Sequence, residues 1–258
     1  MKDPNSWKPS KFVLARGRLR SSRDTNEVSL SSRLVTDLTA RWYQAHIAQH
    51  ARGRLLDLGC GKIPLFEAYR DYVSENVCVD WGNSLHRNNH LDIECDLTQP
   101  LPFAAGEFDT IILSDVLEHI PEPQQLWQEM ARVLSAQGRI LMNVPFFYWL
   151  HEQPHDYYRY TAHALERFAT LAGLKIAHLS ALGGAPEVLA DILAKNLVHV
   201  PLIGRPLAAV TQAATRSFVD TAPGRRISAR TSQQFPLAYA LVAEKGTAAP
   251  GTPSVTSS

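Results

Sequence analysis

Short apolar runs alternate with amphipathic stretches through most of the chain, the pattern left by a parallel sheet wrapped in helices. The runs predict strands at Arg54–Leu58, Val77–Asp80, Leu91–Cys95, Asp109–Ser114, Arg139–Val144, Lys175–Leu179 and Leu237–Glu244. Between them the spacing turns helical. Ser32 stands where it would cap a helix whose Leu34, Val35, Leu38, Trp42 and Ala45 share one face. Pro123 suits the first turn of a helix running to about Leu134, with Leu126, Met130 and Val133 inward. Thr161 would cap a third, carrying Leu165, Phe168, Ala169 and Ala172 and stopped by Gly173. Seven strands with helical crossovers predict an α/β fold with a doubly wound, mostly parallel sheet.

One segment breaks the alternation. Residues 184–234 carry two apolar helical patterns, Pro186–Val200 and Pro206–Val219, inserted before the last strand. Three roles stay open for it: a flap packed on the domain or against a second copy in a homodimer, a lid over a substrate, or an element resting peripherally on a membrane surface. Ahead of the domain (31–245), Lys2, Lys8, Lys11, Arg16, Arg18, Arg20 and Arg23 make residues 1–30 a basic arm, read either as a solvated or partly disordered leader or as a contact for an anionic substrate or membrane surface. The tail 246–258 is small and Pro-containing, the composition of a disordered segment.

Composition narrows the classes. The 258 residues are 45% hydrophobic and 20% charged, with 26 basic against 25 acidic side chains. That is ordinary globular make-up, and the near-neutral balance predicts no nucleic-acid partner. Cys60, Cys78 and Cys95 show no CxxC spacing, so no disulfide framework or metal site is predicted, and a cytoplasmic setting is expected.

The run Leu55-Leu56-Asp57-Leu58-Gly59-Cys60-Gly61 delivers a buried strand into a bend where two glycines flank one residue, which lets backbone approach a ligand closely. A dinucleotide fingerprint would need a third glycine where Pro64 stands, and a phosphate loop would need Ser or Thr after Gly61-Lys62, where Ile63 stands. Asp80 ends the next strand, 19 residues beyond Gly61, where a carboxylate can accept both hydroxyls of a ribose. Asp96 ends the third strand and offers a second acceptor. Either acid alone could simply cap a turn; two in this order suggest a nucleoside.

These residues, with Val79-Asp80, Asp96-Leu97, Leu101-Pro102-Phe103, Phe108 to Ile120 and Leu134 to Leu141, resemble the class I S-adenosylmethionine-dependent methyltransferases. The resemblance runs from about Gly53 to Leu182 and implies their Rossmann-like sheet, with S-adenosylmethionine as cofactor. It assigns the cofactor to Asp57, Gly59, Cys60, Gly61, Asp80, Trp81, Asp96, Leu97, Ser114 and Asp115, with Ser114 and Asp115 near the sulfonium. It implies methyl transfer to a small-molecule acceptor, at oxygen, of the sugar, lipid-linked, cell-envelope or secondary-metabolite kind.

Chemistry beyond cofactor binding is expected from two polar clusters. Asp115, Glu118 and His119 follow the fourth strand, and His151-Glu152-Gln153-Pro154-His155-Asp156-Tyr157-Tyr158-Arg159-Tyr160-Thr161 follows the fifth. So many polar groups are costly to bury unless paired, which favours a pocket. His155 and His119 are the candidate catalytic residues, and Tyr157, Arg159 and Tyr160 the candidate substrate contacts. The rival functions are a nicotinamide-dependent oxidoreductase and a cofactor-binding regulatory protein without turnover.

Overall fold

The computed structural model describes residues 1–82 and 89–246. A hairpin of β1 (Phe12–Ala15) and β2 (Arg18–Ser21) precedes α1 (Arg33–His50). Then come β3 (Arg54–Leu58), the short α2 (Phe66–Tyr69), β4 (Glu75–Asp80), β5 (Ile93–Glu94) and β6 (Phe108–Ser114). The second half runs α3 (Pro123–Val133), β7 (Leu134–Pro145), α4 (Ala162–Leu171), β8 (Leu174–Leu182), α5 (Ala185–Leu197), α6 (Gly204–Val219), α7 (Ala222–Thr231) and β9 (Ala238–Lys245).

Seven strands form one sheet in the order β5-β4-β3-β6-β7-β9-β8, parallel except for β9, which runs antiparallel to both neighbours. This is the expected doubly wound sheet, and all seven predicted strands are in it. The order reverses between β3 and β6, which opens a crevice at their carboxyl ends. Because side chains alternate along a strand, Leu56, Leu58, Ile111 and Leu113 face one core layer with Trp127, Met130 and Leu165. Leu55, Ile112 and Leu141 face the other, against Tyr43 and Ile47 of α1.

Helix boundaries agree where a local signal exists. Pro123 opens α3, and Thr161 Oγ1 accepts the Ala164 N–H to cap α4. Ser32 stands at the α1 N-cap position, but its hydroxyl hydrogen-bonds Tyr148 instead. Gln212 of α6 takes over: its Oε1 accepts the Leu34 N–H at 2.8 Å and its Nε2 donates to Ser31 C=O. The predicted third strand shrinks to two residues, partly because the Asp92 carboxylate, not backbone, accepts the Cys78 N–H.

Two segments depart from expectation. The basic arm is folded: Phe12 and Leu19 are buried, and α1 holds the hairpin through Gln44, which bonds Leu19 N–H and Gly17 C=O, and through Asp37, which accepts from Ser21 N–H. The hairpin turn places Arg16 and Gly17 in left-handed conformation, a turn that fits strand twist. The insertion holds three helices rather than two, because α7 has too few apolar residues to show a stripe. It packs as part of the domain, with Val188, Ala190 and Ala194 of α5 buried. Apart from Gly246, the tail 246–258 lies outside the described residues.

Replacing Gln212 with Ala orphans the buried Leu34 N–H and should cost roughly 1–3 kcal/mol, read as a lowered urea midpoint; an unmoved midpoint would show that the cap is dispensable. A second outcome concerns Asp57 in β3, which is buried and accepts from Tyr69 OH at 3.1 Å. Burial lifts its carboxyl to about 7, above the unfolded value of about 3.9. Folding therefore takes up a proton between those values, and stability falls as pH rises from about 4 to about 7. Unfolding of Asp57→Asn across that range should give a flatter pH profile than the native chain.

Candidate active site

The carboxyl edge of β3, β4, β5 and β6 carries the glycine bend and its acids. Gly59 and Gly61 both take positive φ, 64° and 49°, where a side chain would be strained. A Cβ on Gly59 would also stand 2.5 Å from Val116 Cγ2. The Gly61 N–H donates to Asp80 Oδ2 at 3.0 Å, and Asp80 Oδ1 accepts from Trp81 N–H at 2.8 Å. Asp80 is thus fixed beside the bend, with the Trp81 ring partly exposed next to it. Asp96 is exposed at the end of β5, where its Oδ1 accepts from the Thr98 N–H and hydroxyl, while Leu97 is buried. A bare left-handed backbone beside one fixed carboxylate, with a second acid on the next strand, fits the donor and acceptor pattern of a nucleoside bearing an amino-acid chain.

The end of β6 is organised by Asn143 of β7. Its Oδ1 accepts from Ser114 Oγ and from Tyr43 OH, both at 2.9 Å, and its Nδ2 donates to Asp115 Oδ1 at 2.6 Å. Asp115 adopts φ 53°, a sparsely populated conformation for a non-glycine residue that tends to mark functional sites. Lys11, from the N-terminal hairpin segment, reaches Asp115 Oδ2 at 2.5 Å.

Beyond Asp115, a single 3₁₀ turn, Leu117–His119, meets the loop after β7. The Tyr157 and Tyr158 N–H groups donate to Glu118 C=O, and His119 Nδ1 bonds His155 C=O at 2.8 Å. His155 stacks edge-on against Trp81, ring centres 5.3 Å apart, and its Nδ1 is 3.2 Å from Tyr157 OH. The Glu118 side chain is fully buried, which pushes its carboxyl above the usual range. Burial disfavours a charged His151, but Glu118, Asp156 and Asp115 outweigh it and raise that ring. Asp156 is held down to about 2: burial opposes its charge, yet Arg159 and the His151 N–H stabilise it more.

Of the expected contacts, the Gly59–Gly61 bend, Asp80, Trp81, Asp96, Leu97, Ser114 and Asp115 share this edge. Asp57 does not reach it, because its strand phase turns the carboxylate inward to Tyr69. Cys60 likewise buries its side chain, leaving only backbone at the bend. Arg159 grips Asp156 through both terminal nitrogens and donates to the Tyr148 and Trp149 carbonyls, so it braces the loop. Tyr160 is buried, with its hydroxyl on Leu117 C=O. His119 turns toward Glu118 and His151, and His155 and Tyr157 remain accessible. Lys11, Tyr43 and Asn143 were missed by sequence reasoning. Asn143 alone left a signal, as the one polar residue interrupting Ile140–Val144.

A cleft of about 390 Å³ opens where this loop meets the insertion, lined by Phe146, Phe147, Tyr148, Trp149, Asp191 and Lys195. Lys195 lies 3.5 Å over the Tyr148 ring and pairs with Asp191. Burial lowers its ammonium to about 8 despite that partner.

Residues 56–142 match a family model described as a methyltransferase domain. The ubiquinone biosynthesis O-methyltransferase of Coxiella burnetii is 25% identical over 119 residues, 43% of this chain and 50% of that protein. The chain thus spans about half the length of the curated relatives it matches. An S-adenosylmethionine-dependent methyltransferase from Archaeoglobus fulgidus shares the fold with a TM-score of 0.52 at 16% identity, covering 80% of this chain and 90% of that one. The [4+2]-cyclase SpnF does so as well, with a TM-score of 0.52 at 16% identity over 81% and 83%. No helix among the described residues is long and apolar enough to cross a membrane. The sheet order and the glycine bend with Asp80 beside it are those of the class I S-adenosylmethionine-dependent methyltransferase fold, and with the methyltransferase-domain match over residues 56–142 they point to S-adenosylmethionine as the cofactor.

Proposed function

We propose that the chain transfers the methyl group of S-adenosylmethionine to a hydroxyl oxygen of a small, partly apolar acceptor of the sugar, lipid-linked, cell-envelope or secondary-metabolite kind. The observation that carries this reading is the contact of His155 with Trp81, which brings an accessible imidazole beside the cofactor edge that starts at Asp80. The O-methyltransferases among the relatives support oxygen as the accepting atom.

Bound S-adenosylmethionine supplies a methyl group already activated on a sulfonium, so the chain's task is to align a nucleophile and exclude water, which can be worth up to about 7–11 kcal/mol. Asp80 would hold the ribose, the Gly59–Gly61 backbone the amino-acid chain, and Asp96 with Leu97 the adenine. Asp115, fixed by Asn143 and Lys11, would set the floor beneath the reacting groups. Loss of the acceptor's proton is assigned to His155, whose Nδ1 meets Tyr157 OH so that Nε2 can face the acceptor. The aromatic cleft against α5 suits the acceptor's apolar part, and the insertion shapes that pocket. The nicotinamide alternative loses its ground, since Pro64 replaces the third glycine and the matched domain is a methyltransferase one.

Calorimetry with S-adenosylmethionine should show Asp80→Ala binding at least tenfold more weakly, about 1.4 kcal/mol; undiminished affinity would remove the ribose assignment. Incubation with cofactor labelled in the methyl group and an extract of small molecules should yield a labelled acceptor. With that acceptor, His155→Ala should lose on the order of a hundredfold in turnover at nearly constant cofactor affinity. Tight cofactor binding with no label transferred to any acceptor would favour a regulatory protein instead.

A further inference from the structure

We infer that Glu118, His119 and His151 form a binding site for one divalent first-row transition-metal ion of the zinc class. Sequence spacing predicts no metal set, because the ligands come from one 3₁₀ turn and from a loop more than thirty residues later. The fold brings them together: one ligating atom of each lies within 4.8 Å of the others, in a grouping that stands alone among the described residues. The Nε2 atoms of His119 and His151 each lie 3.7 Å from Glu118 Oε1, beyond hydrogen-bond reach.

The hydrogen bonds on the far side of each ring set the tautomer of the neutral imidazole. His119 Nδ1 faces the His155 carbonyl at 2.8 Å, and a carbonyl can only accept. His151 Nδ1 faces Asp156 Oδ2 and the Trp149 carbonyl, both at 3.3 Å and both acceptors. Each Nδ1 therefore carries a proton, so in the neutral ring each Nε2 presents a lone pair. Between them, Glu118 is fully buried, and neither carboxylate oxygen has a hydrogen-bond partner among the described residues. In that form two lone pairs and a buried carboxylate face one another, an arrangement that a metal ion among them would satisfy and that, without one, a proton must balance.

The surroundings fit such a cation. An imidazole whose other nitrogen is held by a carboxylate or a carbonyl is the usual supporting shell of a metal-bound histidine. Asp156 is itself pinned by Arg159. Bonds of about 2.0–2.2 Å would need ligand separations of roughly 3.4 Å in a tetrahedral site, so small side-chain rotations close the set. Two imidazoles and one carboxylate favour zinc, iron, cobalt or nickel over magnesium or calcium. Three protein ligands leave a coordination position open. Glu152, whose Oε2 is 3.9 Å from His119 Nε2, stands at the rim. Resting on the proposed methyl transfer, that position would take the acceptor's oxygen and ease its deprotonation.

The test needs neither cofactor nor acceptor. Full-length chain stripped with a chelator is titrated with Co²⁺, read by its visible absorption, and with Zn²⁺, read by calorimetry. One equivalent should bind, and it should raise the thermal midpoint. Glu118→Gln keeps the side-chain shape, so it should fold; it and His151→Ala should each bind at least tenfold more weakly, and Glu118→Gln should lose the metal-dependent rise. His46, stacked between Trp42 and His178, is the control for adventitious binding, and His46→Ala should bind as the native chain does. Native-like binding by Glu118→Gln and His151→Ala, loss of binding in His46→Ala, or no binding at roughly 100 μM metal would each overturn the site. So would a lower metal-free midpoint in Glu118→Gln, which would show Glu118 paired with a protonated histidine instead. Failure of the methyl-transfer reading would leave these measurements untouched.

Discussion

The active-site edge depends on the hydrogen bonds of one buried amide, Asn143. Its carbonyl oxygen collects donors from Tyr43 in α1 and Ser114 in β6, and its NH₂ group fixes Asp115. A side-chain amide suits this place because it accepts and donates at once. Without it, two hydroxyls and a carboxylate would meet at the end of a buried strand with nothing to balance them. Buried polar groups of this kind are costly when unsatisfied, so the network that is complete here also sets the positions of its members. Asp115 is held in an uncommon backbone conformation as a result, and Lys11 closes the network from the N-terminal segment.

The peripheral segments act on the same edge. The hairpin delivers Lys11, and Ser32 and Gln212 link the start of α1 to the loop after β7 and to the insertion. The insertion in turn lays Lys195 over Tyr148, three residues before the polar loop's start at His151. Each of these contacts joins parts of the chain far apart in sequence, so the pocket wall and the domain's stability are built from the same interactions. Deleting the insertion would remove a helix cap and the buried Val188, Ala190 and Ala194 along with any role in acceptor choice.

A shared fold leaves the reaction open, as the likeness to a cyclase makes plain. What distinguishes this chain is the loop from His151 to Tyr160. Arg159 clamps Asp156, Asp156 holds His151, and the loop's N–H groups grip the Glu118 carbonyl. The result is a rigid polar wall facing Trp81, with three acceptor groups converging in its depth. Rigidity matters there, because both alignment of a nucleophile and coordination of an ion fail when side chains wander by about an ångström.

The sequence by itself determined the sheet, its seven strands, the helices with strong local start signals, and the glycine bend followed by spaced acids. These features rest on short-range physics: alternation of side chains along a strand, a hydroxyl or proline at a helix start, and the freedom of glycine. It could not say that Asp57 faces Tyr69, that Arg159 serves the loop, or that Tyr160 belongs to the core, because two-residue alternation tells inside from outside only after register and neighbours are set. Nor did periodicity reveal the folded basic arm or α7, whose few apolar residues make no stripe. Only the tertiary structure joined Lys11 to Asp115, Tyr43 to Asn143, and Glu118 to two histidines, since those pairings depend on where separate strands end in space and leave no trace in local spacing.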